Sequence, residues 1–158
     1  MRPLRMAVAL SLLAVTIAGR AYAAQPTLLD MRNKIMVESA QVKDLLRTSK
    51  DVYLISSLWD SCLLSMSQLD AYFSMVGIFN TIPKDQAARD AVSYLEQWLR
   101  EIRRTNELNI KSLSTIKDTI DPSTKIHMDA VKNIFTQLNN QLDMERNKLI
   151  LFKKTLKR

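Results

Sequence analysis

The chain has 158 residues, 47% hydrophobic and 25% charged, with 23 Lys and Arg against 16 Asp and Glu, a formal net charge of +7. One cysteine, Cys62, excludes an intrachain disulfide, and two glycines exclude the glycine-rich loops that cradle phosphates. One histidine and the lack of any Glu-x-x-His pair disfavour zinc and di-iron centres, and no Cys-x-x-Cys-His run exists for covalent haem.

Arg2 and Arg5 precede an apolar stretch from Met6 to Gly19, and Ala21-Tyr22-Ala23 supplies the small-x-small pattern read by signal peptidase. Residues 1–23 are therefore expected to be a signal peptide cleaved between Ala23 and Ala24, leaving the protein periplasmic or secreted. The apolar stretch, about 14 residues, is shorter than the ~20 needed to span a membrane, and Arg20 ends it. Cleavage removes three arginines and no acid, so 20 basic and 16 acidic residues remain, net +4. Residues 24–158 are expected to form a single helical bundle domain, long enough to bury a core without metal or disulfide.

Proline and glycine are too sparse for the frequent turns of a strand-rich fold. The first predicted helix has an interrupted apolar stripe, Leu28, Met31, Ile35, Val42 and Leu46. Arg47 to Asp51 contains neither glycine nor proline. Either Asp51 caps a new helix or residues 27–80 run on as one bent rod. The second stripe is Ile55, Trp59, Cys62, Met66, Leu69, Phe73 and Val76, alternating steps of four and three, with Cys62 expected to be a buried thiol. Residues 51–82 carry three aspartates and no lysine or arginine, which predicts the helix most surrounded by others; Asp60 and Asp70 argue against its spanning a membrane.

Asn80 to Pro83 breaks this helix from a third, whose stripe is Val92, Leu95, Leu99, Ile102, Asn106, Ile110, Leu113, Ile116 and Ile120. Asp121-Pro122 supplies an acceptor at the N-cap and a donor-free first residue for a fourth helix. Its stripe is Met128, Val131, Phe135, Leu138, Leu142, Glu145, Leu149, Phe152 and Leu156. The fold class is all-α: an elongated antiparallel bundle of four helices, the alternative being three long helices with the first two continuous.

The end of the fourth helix is more apolar than a seam requires and otherwise basic. Lys148, Ile150, Leu151, Lys153, Lys154, Lys157 and Arg158 form the candidate interaction surface, suited to an anionic membrane or an acidic protein partner. The competing reading is a core-facing helix whose lysines complement the negative end of its dipole. Acids between Asp85 and Glu107 interleave with arginines as a solvated ion-pair face does. His127 is expected to be a helix-start residue beside Lys125 and Asp129, and haem is disfavoured because an antiparallel first helix places Met31 and Met36 far from it. Arg100, Arg103 and Arg104 have acidic neighbours and no interleaved aromatics, which argues against nucleic acid. No cofactor and no catalysis are expected. The expected function is that of an adaptor, chaperone-like or envelope assembly protein, with homo-oligomerisation open. The alternative is a carrier or sensor of a small apolar ligand, held inside the bundle near Ser57, Ser61 and Ser65.

Overall fold

A computed structural model describes residues 26–82, 86–116 and 120–156; the segment 1–23 expected to be a signal peptide, Pro83, Lys157 and Arg158 lie outside them. Four helices account for nearly all of the described residues, α1 (Leu28–Leu45), α2 (Val52–Phe79), α3 (Gln86–Thr115) and α4 (Pro122–Thr155), and no strand occurs among them. At 1.5 Å per residue they are about 27, 42, 45 and 51 Å long.

The helix starts follow from capping. Thr27 and Asp30 form a capping box: the Asp30 amide donates to Thr27 Oγ1 at 3.1 Å, and the Thr27 amide to Asp30 Oδ2 at 2.7 Å. Asp121 accepts from the amides of Ser123 and Thr124, with Pro122 at the first helical position, as the sequence predicts. Asp51 differs. It sits at the N-cap of α2 but makes no side-chain capping bond; its carboxylate instead accepts the Asp121 amide of the α3–α4 connection at 2.8 Å. Ser49 joins the same end, accepting from the Asp51 amide and sharing a hydrogen bond with Thr124. Residues 46–51 are a real connection tied to its neighbour, so the continuous-rod alternative is ruled out.

Each helix packs beside its sequence neighbours, and α1 closes on α4. Across the diagonal α2 touches α4, whereas α1 and α3 do not meet among the described residues. Met31, Ile35, Ile55, Leu58, Leu69, Leu99, Ile102, Phe135, Leu138 and Leu142 are essentially inaccessible to solvent. Fully burying such a side chain contributes roughly 1.5–3 kcal/mol, so this shared interior holds the bundle together. The α1 stripe is less interrupted than its apolar residues suggest, because buried Ser39 fills the gap, its hydroxyl bonded to the Met36 carbonyl.

The α2 seam is offset from the expected one. Its most buried residues are Ile55, Leu58, Cys62, Ser65, Leu69, Tyr72 and Phe79, with Trp59, Met66, Phe73 and Val76 half-buried on the flank. This helix contacts all three others yet keeps a solvent face that includes Ser57, Asp60, Leu63, Ser67 and Asp70. By length and composition alone α2 could cross a membrane. The third helix ends at Thr115, so Ile116 and Ile120 belong to the connection rather than to the helical seam.

Candidate functional site

The site is created by a mismatch of length. Arg32 of α1 pairs with Asp70 of α2 at 3.0 Å, and Lys43 lies over the Trp59 ring at 5.4 Å, which sets the antiparallel register of these helices. Lys34 donates to Gln137 of α4 at 3.1 Å. On that register the first residue of α1, Leu28, is level with about Ser74 of α2 and about Gln141 of α4. Beyond those points α2 continues to Phe79 and α4 to Thr155, with no residue beside them on the α1 side among the described residues. Among the described residues that end of the bundle is three-helical: past Leu28 the α2 wall runs about 8 Å to Phe79 and the α4 wall about 21 Å to Thr155, and together they flank an open fourth corner.

Helical spacing identifies what lines the corner, since positions three, four and seven apart share a face. On α2 the face bearing Asp70 continues through Phe73, Gly77 and the adjoining Ile78. On α4 the face bearing Gln137 continues through Met144, Lys148 and Leu151. Ile78 is 63% exposed and Leu151 62%, large apolar side chains left in water on the two walls. Phe73 and Phe152 are half-buried against the core and supply an apolar base. Gly77 has no side chain, and a Cβ placed there would meet nothing within 4 Å, so the α2 backbone is open to close approach. Arg32 and Asp70 close the lower end with charge.

The candidate interaction residues divide among three faces. Lys148, exposed and paired with Glu145 at 3.1 Å, lies with Leu151 on the corner. Ile150 and Lys153, both half-buried, are four and seven positions from Arg146, which reaches Glu96 of α3, so they lie toward α3. Lys154 is exposed; Lys157 and Arg158 lie outside the described residues. Neither Lys153 nor Lys154 has an acidic partner among the described residues. Leu149 is buried, and Phe152 packs on Phe79, so much of this segment is core as well as surface. The corner residues Phe73, Gly77 and Ile78 escape sequence reasoning, because only the register of α1 exposes them.

No protein-family model, curated protein or solved structure matches the chain.

Other expected sites take different forms. His127 pairs across helices: its Nδ1 lies 2.7 Å from Glu38 Oε1 of α1, while Lys125 and Asp129 pair with each other. This register brings His127 near the middle of α1, so the separation expected between it and Met36 is smaller than antiparallel topology alone implies. Met36, however, is exposed, its sulfur accepting from Arg32. Ser57 is exposed, Ser61 donates to the Ser57 carbonyl, and Ser65 donates to Asn106 Oδ1 at 2.8 Å. Of the three, only Ser65 is fully inside, and its hydroxyl is already engaged. Burial, reinforced by the Glu38 charge, pushes the Cys62 thiol up to about 12, which leaves it a protonated core residue. Among the described residues no three His, Cys, Asp or Glu side chains gather where a metal could sit.

Proposed function

We propose that the mature protein is an exported, non-enzymatic binding module that receives an acidic amphipathic helix of a partner protein in its vacant corner. The observation that carries the reading is the exposed pair Ile78 and Leu151, on the ends of α2 and α4 that run past the described start of α1. A short helix laid there continues the line of α1, against the end of α2 and along the last turns of α4. Its apolar face covers Ile78, Leu151 and Phe73, and Gly77 allows its backbone close approach. Lys148 and Lys154 favour acids along its polar face, mainly through rate of encounter and orientation. Helix-in-groove recognition of this kind uses anchors spaced three, four and seven residues apart.

Export is part of the proposal and rests on residues 1–23. Intact mass of protein recovered from the periplasm should correspond to a chain starting at Ala24. The docking reading is tested by fluorescence anisotropy with a labelled Glu- and Leu-patterned helical peptide of about 14 residues. Saturable binding is expected, weakened at least tenfold by Leu151→Asp or Ile78→Asp, both surface substitutions, and unaffected by Leu108→Asp on another exposed face. Equal loss from all three variants would refute the site.

A further inference from the structure

A second recognition site lies along the side of the bundle. Arg103 and Arg104 of α3 lie three and four residues from Arg100, and with Glu107 of the same helix and Arg146 and Asp143 of α4 these arginines line a groove of about 330 Å³ floored by Leu99 and Leu142. The guanidiniums are unevenly matched. Buried Glu96 offers one oxygen, Oε1, to both Arg100 and Arg146, the latter at 3.3 Å. Arg103 is divided between Glu107 at 2.9 Å and Asp143 at 3.1 Å. Arg104 is exposed and has no acidic partner among the described residues. Four guanidiniums thus face three carboxylates, and several of their N–H donors remain uncommitted.

We infer that this groove binds a phosphate-bearing anion of small-molecule size. The guanidinium fork matches the oxygens of a phosphate in a two-point contact, which an ammonium cannot do. The groove's size lies at the small end of the ~300–1,000 Å³ typical of ligand pockets, enough for a phosphomonoester or diphosphate group and too little for a helix. Because Glu96 is buried and anchors two guanidiniums from different helices, the donors are held apart before any ligand arrives, which lowers the ordering cost of binding. Leu99 and Leu142 leave a small apolar floor for a carbon body attached to the phosphate. The site shares no residue with the vacant corner and stands or falls independently of it.

The phosphate can come from a soluble phosphorylated compound or a lipid headgroup, which the experiment separates. Inorganic pyrophosphate is titrated into the mature protein by calorimetry against sodium chloride at matched ionic strength. Saturable binding is expected, weakened about tenfold by Arg104→Gln, abolished by Arg100→Gln/Arg104→Gln, and unchanged by Lys153→Gln/Lys154→Gln. Circular dichroism confirms that each variant remains folded; substitution of these exposed arginines leaves the core intact. Flotation with phosphatidylcholine vesicles containing phosphatidic acid or phosphatidylglycerol runs in parallel. Capture by phosphatidic acid that is lost in Arg104→Gln supports the proposal with a lipid source, and pyrophosphate binding without capture supports it with a soluble one. A pyrophosphate response no larger than that of salt, or one that survives Arg100→Gln/Arg104→Gln, overturns it.

Discussion

Phe152, in the last turns of α4, stands edge-on to Phe79 at the end of α2, their ring centroids 6.0 Å apart and their planes at 89°. Because the register is parallel across this diagonal, the contact closes the three-helix end from inside and fixes the surface from which Leu151 projects. Phe152→Ala should destabilise the protein by about 2 kcal/mol, below the 3–5 kcal/mol of a fully buried phenylalanine because the ring is half-exposed. Truncation after Arg146 removes Leu149 and Phe152 together, along with the Leu156 carbonyl that accepts from Arg89. That loss is large beside a total stability of about 5–15 kcal/mol, and urea melts of the truncated chain should show a much lower midpoint or no cooperative transition.

Gly77 is helical, half a turn before the end of α2, and open space surrounds the position of its missing Cβ. Gly77→Ala should stabilise the free protein by about 0.5–1 kcal/mol, measured by thermal or urea unfolding, since alanine is the better helix former and nothing obstructs it. Gly77→Leu should retain the fold yet weaken peptide binding at the corner. Together these variants separate the glycine's cost to folding from its use in docking.

Asn106 is fully buried, accepts from Ser65, and leaves its Nδ2 without a partner; Asn139 Oδ1 on α4 is likewise unpaired among the described residues. A buried unpaired polar group costs roughly 1–3 kcal/mol. Ser65→Ala/Asn106→Leu should therefore raise stability by about 1–2 kcal/mol. It should also loosen the choice of register or oligomeric state, as loss of a polar seam residue does in coiled coils, giving mixed species by light scattering. A single monodisperse species of unchanged stability would argue that these amides have no specifying role.

Burial raises the Glu96 carboxyl, but hydrogen bonds and charge from Arg100 and Arg146 outweigh it and hold the group below its ordinary value. A depressed carboxyl stabilises the fold above its unfolded pKa, about 4.3, and that contribution is lost as pH falls through the lower folded value. Chemical denaturation from pH 6 to 3 should show a shallower acid limb for Glu96→Gln than for the parent protein. The Asp30, Asp121 and Asp129 carboxyls are held low as well, by hydrogen bonds from Thr27, Ser123 and Lys125 respectively, so the variant's limb is reduced, not abolished.

Cys62 should resist thiol reagents in the native protein and react at once in denaturant. The native labelling rate, followed with Ellman's reagent, should track unfolding, and no disulfide-linked dimer should accumulate under oxidising conditions.

Periodicity and capping carried most of the fold: the heptad spacing of α4, that of α3 as far as Leu113, and the Asp121-Pro122 start are as expected. The α2 seam was harder because its buried positions include Ser65 and Tyr72, engaged by Asn106 and Glu145, while bulkier Trp59, Met66 and Phe73 lie at the flank. The apolar pattern therefore meets the true seam at Ile55, Cys62 and Leu69 and points one position away from it at Trp59, Met66 and Phe73. Of the interaction surface, the basic end of α4 was legible from charge. Its partner wall was not, because the exposure of Ile78 and Gly77 depends on where α1 begins alongside α2, a long-range register encoded by Arg32–Asp70 and Lys34–Gln137 rather than by any local motif.

The most direct test of the docking reading is an amide chemical-shift map of the mature protein titrated with the acidic amphipathic peptide, and separately with anionic vesicles. Shifts confined to Phe73–Phe79 and Lys148–Leu156, with the peptide alone, are the expected result. Shifts scattered over all basic surfaces, a response to vesicles only, or a map centred away from the corner would contradict it.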